Sequence, residues 1–400
     1  MKFMFKLPLA LLLLCAMSLF ARDKSQQQTT YLITNDDSIF TNSVSFYTAG
    51  GTTNSPTLTL GTSTTLGGVG IGGGWFGLSR INMLADPSAQ CLYASNAGTS
   101  DIASVVIATQ QLAGQFSPSP TDAGDADGIG ILVTPNYLYA AYTASNTIAT
   151  FSVLPDCQLS FLDDVAAAGL NGGSITGMAV HGNMLVVAYG DGSIESFNTA
   201  NGIPFSNGDA QNSTGFAAGN GIDFPEAVDI TQDGHYALFG DSSIATKVEV
   251  SDISSGKLAP TTLYTVWGVG RAVGTGVNSG SIRLSPDQSM VYLGNNDGGT
   301  VSAAFFDPQT GKVRGGCTSP GLLGFYNPWA FVGSIATRDT TGTGGVLYVA
   351  EYGFVDSYLG ILKIASDGVN CTLTESSGTE VPDILSSGLL SISVYPPRSF

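Results

Sequence analysis

The chain has 400 residues, of which 43% are apolar, 52 are glycine and only 11% are charged. That composition excludes a helical bundle, whose exposed stripes need charge, and a disordered chain, which lacks the apolar content to build a core. Its 31 acidic and 14 basic residues give a net charge of −17, which repels polyanions and leaves few cations to neutralise phosphate, so nucleic acid is excluded as a partner.

The first element in chain order reads as an export signal. Lys2 and Lys6 supply a positive start, Leu7 to Phe20 form an uncharged apolar run, and Ala21 is a small residue suited to precede cleavage. A run of about 14 residues is too short to cross a bilayer as a helix, so no membrane span is expected. Residues 1–21 are therefore assigned to the signal and 22–400 to one domain, with a secreted or periplasmic location. Cys15 leaves a lipid-anchored alternative, although Leu14 stands where a lipobox uses Gly, Ala or Ser. Removal of Lys2 and Lys6 leaves 12 basic residues against 31 acidic ones, a net charge of −19.

Next in order comes a phrase that recurs seven times: an apolar or aromatic strand, a polar turn, then a second alternating strand. The copies begin at Tyr31, Leu92, Leu138, Leu185, Tyr236, Val291 and Leu347, at spacings of 61, 46, 47, 51, 55 and 56 residues. A unit of that length is a four-stranded propeller blade with its loops. Each phrase supplies the second and third strands. First strands are expected just upstream, at Leu78–Asp86, Gly128–Pro135, Gly177–Gly182, Ala227–Gly234, Ser281–Asp287 and Gly333–Arg338. Fourth strands follow the phrase, most visibly after Ser255-Gly256-Lys257 and Thr310-Gly311-Lys312.

That leaves seven hairpins and six first strands. The missing strand is found at Gly388–Tyr395, which resembles the other six and completes the blade begun at Tyr31. A ring of sheets needs this closure, because an open first blade leaves unpaired edge groups. Two unrelated all-β domains would not explain why the one missing strand lies at the C-terminus. The expected fold is an all-β, seven-bladed β-propeller, closed by its C-terminal strand and monomeric.

Four cysteines remain past the signal, Cys91, Cys157, Cys317 and Cys371, an even number suited to an oxidising compartment. Their positions in neighbouring blades point to Cys91–Cys157 and Cys317–Cys371, although four cysteines allow three pairings. With no CxxC pair and two histidines, no metal site and no cofactor are expected.

The phrases SIRLSPDQSMVYLGNNDGGTVSAAFFDPQTGKV and AVDITQDGHYALFGDSSIATKVEVSDISSGKL resemble the YVTN-type repeats of lactonase-like seven-bladed propellers. That group includes bacterial 6-phosphogluconolactonase and the fungal carboxymuconate-lactonising enzyme. The resemblance implies the fold, and a lactone-hydrolysing activity only if the site is kept. Family enzymes carry a Pro-Arg-His phrase where an inner strand opens. Here the openings read Ser279-Gly280-Ser281-Ile282-Arg283, Phe224-Pro225-Glu226-Ala227 and Asn327-Pro328-Trp329-Ala330, without histidine. His181 and His235 are both expected in turns.

Ligands of propellers bind where inner strands open into the central channel. Those positions supply Trp75, Phe76, Glu226, Asn327 and Trp329, with Arg271 in a Gly-rich loop upstream. Aromatic walls with one carboxylate and one guanidinium suit a sugar or a small carboxylic acid. On this reading Glu226 and Arg271 are the candidate catalytic pair, and Trp75, Phe76, Asn327 and Trp329 the candidate ligand contacts. The alternative is that the tryptophans plug the mouth and Glu226 pairs with Arg271 or Arg283. A protein, glycan or small molecule is the expected partner there.

Asp36, Asp37, Asp101, Asp191, Asp241, Asp297 and Asp356 occupy the turns between second and third strands. They would make one rim acidic and attractive to Ca²⁺, or serve only to bind their own turn backbones. Gly67–Gly74 has a dinucleotide-like glycine spacing but no strand-to-helix context, so it is expected to be a flexible loop. Gly172-Gly173-Ser174 has no plausible base nearby in sequence and no nucleophile elbow.

Overall fold

The computed structural model describes residues 29–71, 81–83, 90–117, 129–214, 225–241, 247–266, 279–295, 300–319, 331–341, 344–352, 357–376 and 391–395. Residues 1–28, which include the expected export signal, lie outside that set. The described residues form seven antiparallel sheets. Blade 1 is ordered Ser391–Tyr395, Tyr31–Asn35, Ser43–Thr52 and Ser55–Thr65 from the centre outward. Blades 2, 3, 5, 6 and 7 follow the chain, their inner strands being Ile81–Met83, Ile129–Val133, Pro225–Ile230, Ser279–Leu284 and Phe331–Thr341. Blade 4 begins at Ile175–His181, and its outer edge is split into two short pieces.

The C-terminal closure is realised in register. Tyr31 lies opposite Tyr395 and Asn35 opposite Ser391, so the two ends of the chain share one sheet. Inner strands contact their neighbours all the way round, including the step from Ser391–Tyr395 to Ile81–Met83.

Second strands read as continuous apolar runs, such as YLYAAY at Tyr137–Tyr142 and MLVVAY at Met184–Tyr189, because both faces are covered by neighbouring blades. The core is therefore distributed as seven clusters, each at one blade boundary. Leu32, Tyr47 and Ile392 meet Tyr348 and Ile361 between blades 7 and 1, and Ile33 and Phe46 meet Leu92 and Val105 between blades 1 and 2. Burial of one such aromatic or aliphatic side chain is worth roughly 1.5–3 kcal/mol. Ring closure thus adds an apolar boundary as well as a hydrogen-bonded strand.

Both cysteine pairs form as the positions suggested. Cys91–Cys157 joins blades 2 and 3, with Cα atoms 5.4 Å apart, and Cys317–Cys371 joins blades 6 and 7 at 5.6 Å. Counted around the ring, the two clips stand one boundary away from blade 1 on either side.

Candidate functional site

The mouth of the channel is the face where inner strands begin and second strands end, as the pairing of Ser391 with Asn35 and of Ile175 with Tyr189 requires. Four successive inner strands carry a one-residue bulge at this level. The extra residues are Thr176, Glu226, Gly280 and Gly333, in blades 4, 5, 6 and 7. The described inner strands of blades 1, 2 and 3 pair without interruption. A bulge leaves one residue off the ladder and re-aims it, which is why bulges gather at rims and binding sites.

The same bulges explain a difference from the expected strand limits. In blades 4 to 7 the inner strands begin at Ile175, Pro225, Ser279 and Phe331, each two residues before the expected Gly177, Ala227, Ser281 and Gly333. An extra residue breaks the period-two alternation, so only the part beyond the bulge reads as a strand. Glu226 therefore lies within its strand and not ahead of it. Arg283 pairs opposite Tyr292, near the far end of its own strand, so the register separates it from the Glu226 level. Trp75, Phe76, Arg271, Asn327 and Trp329 lie outside the described residues.

The turn aspartates do not form one exposed acidic rim. Asp36 and Asp37 are fully buried and Asp101 almost so. Asp36 accepts hydrogen bonds from the hydroxyls of Thr34 (2.6 Å), Ser43 (2.6 Å) and Ser45 (2.8 Å). Burial raises its pKa to about 6, against the opposing pull of Ser43, Thr34 and Ser45. Beside it the Tyr47 phenol is pushed up, first by burial and then by the Asp36 charge. Asn42 donates from Nδ2 to the Ser95 carbonyl (3.0 Å) and to Asn96 Oδ1 (3.0 Å), and Asn96 donates to Asp101 (2.6 Å). This polar seam ties blade 1 to blade 2. The side chain of Asp241, with Asp297 and Asp356, lies outside the described residues.

In blade 4, Asp191 collects donors from the loop leading to the inner strand. Its carboxylate accepts from Asn171 N–H (2.7 Å), Gly173 N–H (3.3 Å) and the N–H (2.9 Å) and hydroxyl (2.5 Å) of Ser193. Burial opposes the charge, but those donors outweigh it and hold the carboxyl below its usual range. Local backbone binding, the simpler of the two readings of these residues, holds for Asp191. No group of three His, Cys, Asp or Glu side chains among the described residues is arranged to hold a metal ion.

The first part of the Gly-rich segment is a packed strap. Gly68 O accepts from Asn42 N–H, and Gly70 N–H donates to Ser38 O, across the turn of blade 1. A Cβ on Gly70 would stand 2.3 Å from the Asp37 carbonyl, so close backbone approach accounts for glycine there. Above this strap the turn exposes Phe40 (74%) and Ile39, apolar residues on the mouth face that sequence reasoning missed. Only their place next to buried turn residues marks them, and burial of a turn is invisible in composition.

Both histidines sit on the opposite face. His181 ends an inner strand, with its ring against Gly234, where a Cβ would come within 2.5 Å of Cδ2. His235 follows Gly234, is 58% exposed and places Nδ1 3.2 Å from Asp233 Oδ2. Neither reaches the mouth; His235 lies in the expected turn, whereas His181 is the last residue of its strand.

No protein-family model and no curated protein sequence matches the chain. Solved structures do. A candidate 6-phosphogluconolactonase from Bacteroides uniformis superposes with a TM-score of 0.66 at 13% identity, covering 92% of this chain and 100% of that one. A second, from Bacteroides fragilis, gives 0.63 at 14%, covering 93% and 99%. The periplasmic gluconolactonase of Pseudomonas aeruginosa gives 0.52 at 15%, covering 72% and 81%. The likeness is one of fold. Propellers host many functions on that fold, so activity has to be argued from side chains.

Proposed function

We propose that this protein is an exported binding module that takes a small molecule, a glycan or a protein segment at its channel mouth. Residues 1–21 act as the export signal and 22–400 as a single propeller. Disulfides in two blade boundaries and the acidic chain, of pI near 4.2, suit a secreted or periplasmic setting. One observation carries the reading: the four consecutive bulges at Thr176, Glu226, Gly280 and Gly333. Such distortion is unneeded for closure, because the described inner strands of blades 1 and 3 pair at the same level without it. It supports a ligand held over blades 4 to 7, with Glu226 among its contacts, Asn327 and Trp329 as walls on that arc, and Trp75 and Phe76, which precede blade 2 in the chain, as walls from across the channel.

A second reading is favoured by the fold likeness to gluconolactonase-type structures. Here Glu226 acts as general base on a water molecule that attacks a lactone carbonyl, and Arg271 stabilises the oxyanion. Collapse of the tetrahedral intermediate breaks the acyl C–O bond, and the ring oxygen takes up the proton held by Glu226. The test is a panel of sugar and carboxylic-acid lactones with wild type and Glu226→Gln. Hydrolysis lost in the variant supports the enzyme. A thermal shift with sugar acids or oligosaccharides, weakened by Trp329→Ala and without hydrolysis, supports the binding module. No shift and no hydrolysis in either panel removes both.

A further inference from the structure

Blade 4 departs from the other blades at its perimeter. Its outer edge is made of Phe205–Ser206 and Gln211–Asn212, which pair with the two ends of Ser193–Asn198. Between them the Asp209 carboxylate replaces the missing strand. It accepts from Ser196 N–H (2.9 Å), from the Ser196 hydroxyl (2.6 Å) and from Leu258 N–H of blade 5 (2.8 Å). The connection from the third strand is also fixed. Tyr139 donates its hydroxyl to the Gly202 carbonyl (2.9 Å), and a Cβ on Gly202 would stand 2.6 Å from the Tyr137 ring. Gly202 has φ +88°, so both conformation and space require glycine.

This anchoring shapes an open groove lined by Asn198, Asn201, Ile203, Phe205, Ser206 and Asn207. Phe205 is 77% exposed, the highest value among the large apolar side chains described. A rigidly held chain that spends its hydrogen bonds inside and leaves a phenyl ring in water has the layout of a recognition surface.

Ser206 donates its hydroxyl to Glu195, whose other oxygen accepts from Tyr189 (3.1 Å), and Lys257 donates to the Asn207 carbonyl (2.9 Å). Two acids, Glu195 and Asp209, and one base thus flank a lining of amides and a hydroxyl. Amides and hydroxyls both donate and accept, as sugar hydroxyls do. An aromatic face suits the C–H face of a pyranose ring. A polyanion would meet a chain of net charge −17 with a single lysine to receive it. An apolar peptide would find only Phe205 and Ile203.

We propose that the blade 4 groove is a binding site for a neutral saccharide, with Phe205 as the stacking platform and Asn198 and Asn201 as hydroxyl partners. The site lies at the outer edge of a blade, away from the channel, and stands independently of the mouth.

Affinity gel electrophoresis of the full chain in hydroxyethylcellulose, glucomannan, xylan and dextran tests it, with polygalacturonate as the anionic comparison. Retardation is expected in at least one neutral gel. It should weaken about tenfold in Phe205→Ala, be retained in Phe205→Trp, and leave the melting temperature of both variants unchanged. Wild type unretarded in every neutral gel, retardation only in polygalacturonate, or equal retardation of Phe205→Ala would each overturn the assignment.

Discussion

Blades 1 and 4 each carry an aspartate just beyond the second strand, and the two carboxyls are driven in opposite directions. Asp36 is fully buried, and burial raises it from 3.8 to about 6 although the hydroxyls of Ser43, Thr34 and Ser45 favour its charge. Asp191 is half-buried. Burial works against its charge too, but the Ser193 hydroxyl and the N–H groups of Asn171, Ser193 and Gly173 outweigh it. Depth of burial and type of donor, not residue type or place in the repeat, decide the sign. Blade 1 hides its turn under the Gly68–Gly70 strap, where it meets blade 2. Blade 4 leaves its turn open and uses the carboxylate to hold a loop.

Blade 1 also depends on both ends of the chain, which blade 4 does not. Truncation after Ser387 removes Ser391–Tyr395, strips Tyr31–Asn35 of its inner partner and opens the boundary with blade 7. The largest effect follows: a truncated chain should lose cooperative melting altogether by circular dichroism. An unchanged melt would mean that blade 1 does not depend on closure.

The disulfides come next in size. Serine replacement of both cysteines of Cys91–Cys157 or of Cys317–Cys371, closing spans of 66 and 54 residues, should cost roughly 2–5 kcal/mol in urea unfolding. Values within about 0.5 kcal/mol of wild type, the usual scatter of surface substitutions, would show that the boundaries between blades 2 and 3 and between blades 6 and 7 need no clip.

Asp36 gives a smaller effect with a definite sign. Its folded pKa is raised, so its contribution is fully present below pH 3.8 and is lost as pH rises through about 6. The loss amounts to about 3 kcal/mol. Asp36→Asn should remove that part of the pH dependence, so that between pH 4 and 8 the variant falls less in stability than wild type. Parallel curves would show that Asp36 does not titrate in this window.

The repeat made the ring legible from sequence. Seven phrases and one displaced strand at Gly388–Tyr395 require closure, whatever the details of packing. Both cysteine pairings form as expected, because blade order places the members of each pair in adjacent blades, although four cysteines allowed three pairings. Less legible were features that depend on depth or on a single inserted residue. The bulges at Thr176 and Glu226 leave no composition signal and appear only as strands that seem to start late. The strap that holds Ser38 and Asn42 of that turn of blade 1 comes from some thirty residues downstream, at Gly68 to Gly70. The repeat provides for one fourth strand per blade, and nothing in it marks that blade 4 splits that edge into Phe205–Ser206 and Gln211–Asn212. Of the mouth residues, only Glu226 falls on a described strand.

The smallest effect sharpens the comparison most. Asp191→Asn keeps the size of the side chain and removes its charge, so donors from Asn171, Gly173 and Ser193 face a weaker acceptor. Hydrogen bonds to a charged group are worth more than neutral ones, but solvent reaches this carboxylate and screens part of the difference. A loss of about 1 kcal/mol at pH 7 is expected in urea unfolding. The sign runs opposite to Asp36. A lowered folded pKa contributes stability above the unfolded value of 3.8, which is lost as pH falls through the folded value, so wild type and variant should converge as the solution is acidified past that point. The two substitutions should therefore give difference curves of opposite slope when both are measured from pH 3 to 8. Slopes of the same sign would mean that burial dominates both turns, and that the backbone donors of blade 4 do not offset it.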